Sequence, residues 1–107
     1  IPAGGFVVLG PNADFATNGG VAIDYPVAGF YLGNQADEVA LLFGGIVMDR
    51  VVYDAAWPSG EGHAMSLSVG AHNATDNNLV TNWCASTRAY GALGNFGTPH
   101  AINPACP

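Results

Sequence analysis

Apolar and polar residues alternate along this chain in short bursts, with the period of two that is typical of β-strands. No longer window repeats with the 3.6-residue period of an amphipathic helix. Glycine, proline and asparagine separate the bursts, as expected for tight turns between strands. The pattern predicts six short strands, at 6–9, 21–25, 30–32, 38–43, 46–53 and 63–69.

The strongest local signal is a β-hairpin, in which Gly44-Gly45 joins the strands predicted at 38–43 and 46–53. Alternation along the second strand predicts two largely apolar faces: Val47, Val51 and Tyr53 lie beside Asp49, whereas Ile46, Met48 and Val52 lie beside Arg50. A strand that is apolar on both faces is typical of the interior of a β-sandwich.

The strand predicted at 63–69 alternates cleanly. Met65, Leu67 and Val69 are expected to point inward, and Ala64, Ser66 and Ser68 outward. Trp83 is predicted to anchor the core. Short strands at turn-punctuated spacing predict an all-β fold, a sandwich of short antiparallel strands, in one domain spanning 1–107.

The composition of the chain excludes some classes of binding partner. Charged residues make up 9% of the chain, against about 25% in an average protein, and the net charge is -6 with no lysine. Binding to nucleic acid needs cations that displace counterions from phosphates, so a nucleic-acid partner is excluded. The longest apolar stretch, Val39 to Met48, contains two glycines and is about half the length of a membrane span, so no membrane insertion is expected.

Two cysteines, Cys84 and Cys106, allow either a disulfide or two free buried thiols. An even number of cysteines in an acidic, glycine-rich chain favours the disulfide and an oxidising compartment, which indicates an extracellular or cell-surface protein. The chain begins with Ile1, and we expect it to be a mature product or a fragment.

Catalytic chemistry is not indicated. The histidines at 63, 72 and 100 lack metal-ligand spacing, and no serine lies in a G-x-S-x-G motif. Asp37 and Glu38 are neighbours on one strand and therefore point to opposite faces. The sequence predicts a protein that is not an enzyme and has no cofactor.

Calcium is the ion that the composition best accommodates, because it takes oxygen ligands from irregular loops. Asn12 and Asp14 lie in one oxygen-rich loop, and Asp76 and Asn78 lie in another. These residues are candidate calcium ligands. The alternative interpretation is that they shape turns, where Asn and Asp abound.

Five segments in order resemble the lamin-tail domain family in its bacterial, secreted form. They are GGFVVLG, LGNQADEVALL, VMDRVVYD, a Trp-Pro loop followed by MSL, and the closing NWC with GTPHAINPAC. The resemblance extends from Gly4 to Cys106. It implies an immunoglobulin-like β-sandwich that serves as a non-catalytic structural or protein-interaction module. The family positions are structural here: Asp37 before a strand, Asp49 within the hairpin, and Gly97, Thr98 and Pro99 at the last turn.

Two departures from the family pattern affect these expectations. His100 stands where the family usually has glycine, so its turn either avoids positive φ or is strained. The opening strands of the family are absent, which leaves a sheet edge that a second chain or an identical subunit could cover. The alternatives to a free-standing module are an accessory domain of a larger extracellular hydrolase, such as a nuclease or phosphatase, and a subunit of a fibre or coat completed by strand exchange.

Overall fold

The computed structural model describes residues 1–107 and contains eight short strands. Three single turns of 3₁₀-helix follow the fifth strand, at Val69–Ala71, Asp76–Asn78 and Val80–Asn82. The strands, numbered in chain order, are β1 (Leu9–Gly10), β2 (Tyr25–Pro26), β3 (Asp37–Phe43), β4 (Ile46–Tyr53), β5 (Met65–Leu67), β6 (Trp83–Ala85), β7 (Ala89–Tyr90) and β8 (Asn95–Phe96).

The strands form four two-stranded sheets: β1–β2, β3–β4, β5–β6 and β7–β8. The first pair is parallel and the other three are antiparallel. A small β-rich fold is therefore confirmed. The immunoglobulin-like sandwich stays a prediction, since these pairs do not join into two broad sheets.

The predicted hairpin is the longest element, and its bounds agree with the sequence to within one residue. Gly44 and Gly45 have φ of 58° and 78°, which is the left-handed backbone that a two-residue type I′ connection requires. The pairing runs from Asp37 opposite Tyr53 to Phe43 opposite Ile46.

A β-bulge changes the two faces of the hairpin. Leu41 pairs with Asp49 and Leu42 pairs with Val47, so Met48 is the extra residue of β4. Because directly opposed residues share a face, Val47 lies with Leu42, on the face opposite Asp49. The predicted grouping of Val47 with Asp49 and of Ile46 with Arg50 is thus wrong, since simple alternation cannot anticipate the extra residue.

The opening third of the chain contains less strand than predicted. The strands expected at 6–9 and 21–25 shrink to the two-residue pairing of Leu9–Gly10 with Tyr25–Pro26. The Val8 carbonyl accepts the N–H groups of Asp24 and Tyr25 at 2.9 and 3.3 Å, and the Gly10 carbonyl accepts the Val27 N–H at 2.9 Å. The strand expected at 30–32 is absent, because the Phe30 N–H closes a turn onto the Val27 carbonyl.

The C-terminal segment covers the sheet β5–β6 and is fastened there by a disulfide between Cys84 and Cys106. Both sulfurs lie near the Ser66 carbonyl oxygen, at 3.8 and 3.6 Å, and the Cys106 N–H donates to Ser68 Oγ. Ser66 is consequently only 5% exposed, although alternation placed it outward. That prediction is wrong because the returning terminus, not the sheet alone, decides what is buried.

Very few hydrophobic side chains are fully buried in this fold. Half of the residues are hydrophobic, yet the only hydrophobic side chain that is fully buried belongs to Ala71. The other buried residues are glycine, serine or asparagine, at Gly10, Ser66, Asn77, Ser86 and Gly97. Backbone and side-chain hydrogen bonds and the disulfide therefore carry much of the organisation. The helical segments are 3₁₀ turns of three residues each, so none of them could span a bilayer.

Replacing both cysteines, as Cys84→Ser with Cys106→Ser, should lower the free energy of unfolding by about 3.4 kcal/mol, because the bond closes a loop of 22 residues. Urea unfolding of the oxidised and substituted proteins measures the difference. Equal unfolding midpoints would show that the bond constrains nothing in the unfolded chain.

Candidate functional site

A groove of about 1010 Å³ lies at the base of the hairpin. Val39 of β3 and Val51 of β4 form part of its wall, together with the loop that follows β4. Its aromatic lining consists of Tyr53, Trp57, His63 and Trp83, and its two carboxylates are Asp54 and Glu61. The groove contains no lysine or arginine, so its electrostatic potential is negative.

Trp83 joins the groove to the 3₁₀ turn at Asp76–Asn78. Its ring packs at a tilt against Trp57, with 5.6 Å between the ring centroids. Its indole N–H donates to the carbonyl of Asn77 at 2.8 Å. The Asn77 side-chain amide in turn donates to the Asp49 carboxylate at 2.7 Å, which fastens β4 to this turn.

Asp37 holds the other strand of the hairpin in place. Its carboxylate accepts the N–H groups of Gly33 and Glu38, each at 2.8 Å. These two bonds, the one from Gly33 above all, lower the pKa of the carboxyl below its ordinary value. The Tyr53 hydroxyl donates to the Gly33 carbonyl at 2.6 Å, and burial, followed by the Asp37 charge, raises the pKa of Tyr53.

The last turn is built by Gly97, Thr98 and Pro99. A Cβ at position 97 would come within 3.0 Å of the Tyr90 ring, so only glycine fits there without a shift. The Thr98 hydroxyl donates to the side-chain oxygen of Asn103, and the Thr98 carbonyl accepts the Ala101 N–H. This turn faces a small groove of about 310 Å³ that Pro99 also lines.

His100 adopts the left-handed backbone, with φ of 58°, where a glycine would be relaxed. Its ring Nε2 lies 2.5 Å from an Asp24 carboxylate oxygen. Asp24 also accepts the Val8 N–H, and that bond, followed by the one to His100, lowers the pKa of Asp24. The histidine therefore connects the last turn with the parallel pair β1–β2.

The candidate calcium ligands are engaged in local turns. Asn12 Oδ1 accepts the Asp14 N–H, and Asp14 Oδ1 accepts the Ala16 N–H. Asp76 Oδ2 accepts a bond from the Asn73 side chain, and the Asn78 amide donates to the Ala74 carbonyl. The first loop thus uses its oxygens as Asx turns do, and the second uses Asp76 and Asn78 in hydrogen bonds within its own turn. No group of three or more His, Cys, Asp or Glu converges in the fold.

His63 and Ser86 meet in a structural contact. The His63 ring stacks on Phe96, with ring centroids 4.3 Å apart, and its Nδ1 lies 2.6 Å from the Ser86 carbonyl oxygen. The contact is with the backbone of the serine, whose hydroxyl is buried and makes no hydrogen bond. This geometry orients the ring and joins β8 to the segment after β6.

The most conspicuous surface of the protein is formed by the hairpin, whose apolar faces the alternation pattern predicts to lie inside a sandwich. Eight large apolar side chains of the hairpin are exposed, from Val39 at 45% to Phe43 at 79%, and we call them the hairpin patch. The other members are Leu41, Leu42, Ile46, Val47, Met48 and Val52. The two apolar faces of β4 are the sequence signal of this surface, but alternation alone does not distinguish a face buried in a sandwich from a face that lies in solvent.

Replacing Asp37 by Asn should destabilise the protein at neutral pH and weaken its sensitivity to acid. The pKa of Asp37 in the folded state lies below the ordinary 3.8, so its contribution is present above that value and is lost as the pH falls through the folded pKa. Urea midpoints at about pH 7 and about pH 2.5 should therefore differ less in the variant than in the original protein. Glu61→Gln, at an exposed carboxylate without a hydrogen bond, is the control and should leave the difference unchanged.

Removal of calcium should leave the melting temperature unchanged, because Asn12 and Asp14 already bond to the backbone of their own turn. Calorimetric melting with EDTA, and with added calcium, provides the comparison. A melting temperature that rises with calcium concentration would show that these loops hold the ion.

Comparisons with protein-family models, with curated proteins and with solved structures find no match to this chain.

Proposed function

We propose that this chain is a non-catalytic interaction or structural module of a secreted or cell-surface protein, and that it engages another polypeptide through the hairpin patch. The single observation that carries the proposal is the exposure of the patch. Soluble monomers rarely leave contiguous apolar patches larger than a few hundred Å² in water, and such patches commonly mark protein-interaction sites.

The size of the patch suits an interface. The eight large side chains, most of them more than half exposed, are divided between the two faces of the hairpin, so each face presents on the order of 400 Å², a size at which apolar patches on monomers are often functional. Apolar burial of this extent gives a strong driving force for association. Leu42 and Val47 oppose each other at its centre, on one face.

The extracellular address is supported by the disulfide and by the composition. Disulfides persist in oxidising compartments, and both cysteines of this chain are paired. The five segments that resemble the secreted lamin-tail family support the same address and the proposed sandwich, with the second layer supplied by whatever covers the hairpin.

The non-catalytic role is supported by the way the chain uses its reactive groups. Asp37 and Asp24 hold backbone N–H groups, and His63 and His100 orient turns. The second candidate is a subunit of an extracellular fibre or coat, which the unpaired outer edges of the hairpin favour, because strand exchange between subunits would use them.

Photocrosslinking tests the proposal. A photoreactive leucine analogue at Leu42, in the native protein on its source cells and in their medium, should give a product joined to one defined segment of another polypeptide. The matched control is the analogue at Leu93, which is 72% exposed but lies outside the hairpin. Mass spectrometry of the crosslinked peptides locates the contact.

Equal labelling from Leu42 and Leu93 would contradict a specific surface. A protein that sediments as a monomer and gives no product from Leu42 would overturn the proposal altogether. Leu42→Thr with Val47→Thr should reduce labelling from an analogue placed at Val52 while changing the melting temperature little, since these side chains are exposed in the free protein.

A further inference from the structure

The outward amides of β3 can be identified from one hydrogen bond. The Glu38 N–H donates to the Asp37 carboxylate and not across the hairpin, so it points away from β4. Amides alternate in direction along an antiparallel strand, so the N–H groups of Ala40 and Leu42 point the same way. Apart from this bond within β3, no backbone group between 37 and 43 bonds to any segment other than β4.

The other edge of the hairpin is less suited to a new strand. The bulge at Met48 disturbs the spacing of β4, and bulges on edge strands discourage further pairing. The Asp49 carboxylate also ties β4 to Asn77. Each edge has one outward amide bonded to a carboxylate of its own strand, Glu38 on β3 and Arg50 on β4. The edge with regular spacing is therefore that of β3, where the outward amides of Ala40 and Leu42 remain available for pairing.

Charge is distributed unevenly along this edge. Asp37 and Glu38 begin β3, and the groove at the same end of the hairpin adds Asp54 and Glu61. The only cation in this region is Arg50, which already forms an ion pair with Glu38. The rest of the strand, from Val39 to Phe43, is uncharged. The edge thus has an acidic end and an apolar end.

We propose that the outer edge of β3 binds an extended strand of a different polypeptide, apolar at alternate positions and carrying lysine or arginine at the end that lies beside Asp37. Main-chain bonds to Ala40 and Leu42 supply pairing, and the side chains of the added strand contact Val39 and Leu41 on one face. The inference rests on the proposed function, and it specifies which edge of the hairpin binds and which kind of polypeptide binds there.

A second copy of the chain is a poor occupant for this edge. Each copy carries a net charge of -6 and no lysine. Arg50 is already paired, and the chain's other cation, Arg88, precedes β7 and lies outside the hairpin. A second copy therefore adds electrostatic repulsion and neutralises no carboxylate at the acidic end. A basic strand is attracted by the net negative charge of the chain and neutralises those carboxylates.

The first experiment measures the binding of synthetic peptides of the length of β3 to the native protein by fluorescence anisotropy. One alternates valine and threonine and ends in two lysines, and its matched control ends in two glutamates. The basic peptide should bind at least about tenfold more tightly at low salt, with a smaller difference at high salt because the charges are screened. Equal affinity, or no binding of the basic peptide, would overturn the inference.

The second experiment separates edge pairing from apolar adsorption. Ala40→Pro removes an outward N–H from β3, and the control Leu93→Pro removes an N–H that makes no hydrogen bond and lies outside the hairpin. Ala40→Pro should weaken peptide binding by about tenfold or more, whereas Leu93→Pro should leave it nearly unchanged. Near-ultraviolet circular dichroism and the intact disulfide verify folding.

If Ala40→Pro fails to fold, peptides with N-methyl groups on one edge or the other test the same point on the unaltered protein. If N-methyl groups abolish binding when they are on one edge of the peptide but not on the other, the result supports strand pairing. If the two methylated peptides bind equally, the result overturns the inference. Equal affinities of the two proline variants, or a dimer that Ala40→Pro dissociates, would also overturn the inference. Crosslinking from Leu42 that persists in Ala40→Pro would leave the proposed function standing while this inference fails.

Discussion

The disulfide between Cys84 and Cys106 is the constraint on which the body of this protein depends. It holds the terminal segment across β5–β6, where Asn103 donates to the Leu67 carbonyl and the Cys106 N–H reaches Ser68. The same segment carries the turn whose His100 contacts Asp24, which in turn holds Val8. One covalent bond thus organises contacts from the last residues to the first strand in a chain that has almost no fully buried apolar side chain.

The hairpin is attached to this body by polar contacts rather than by a shared core. Asp37 and Tyr53 bond to Gly33, and Asp49 bonds to Asn77. These bonds fix its position and leave its apolar faces in water, an arrangement that costs free energy unless something covers them. The bonds that anchor the hairpin therefore leave its apolar faces accessible, which supports the binding role proposed for it.

Local signals accounted for the elements that depend on neighbouring residues. The bounds of β4 and the Gly44-Gly45 connection were predictable, since turn chemistry and alternation are local. Within the groove, the sequence predicts that Trp83 packs in the core, but its contact with Trp57 depends on a loop whose position no local pattern specifies. The strand expected at 30–32 does not form, because the Phe30 N–H bonds to the Val27 carbonyl within a turn and not to a neighbouring strand.

Composition and alternation predict a β-rich, acidic chain with one dominant hairpin, and the two cysteines favour a disulfide. The tertiary structure alone decided that Ser66 is buried beneath the returning terminus and that Val47 changes face at the Met48 bulge. It also decided that Phe43 and Leu42 lie in solvent. The physical reason is that alternation records which residues share a face, whereas burial depends on which distant segment, or which other molecule, comes to cover that face.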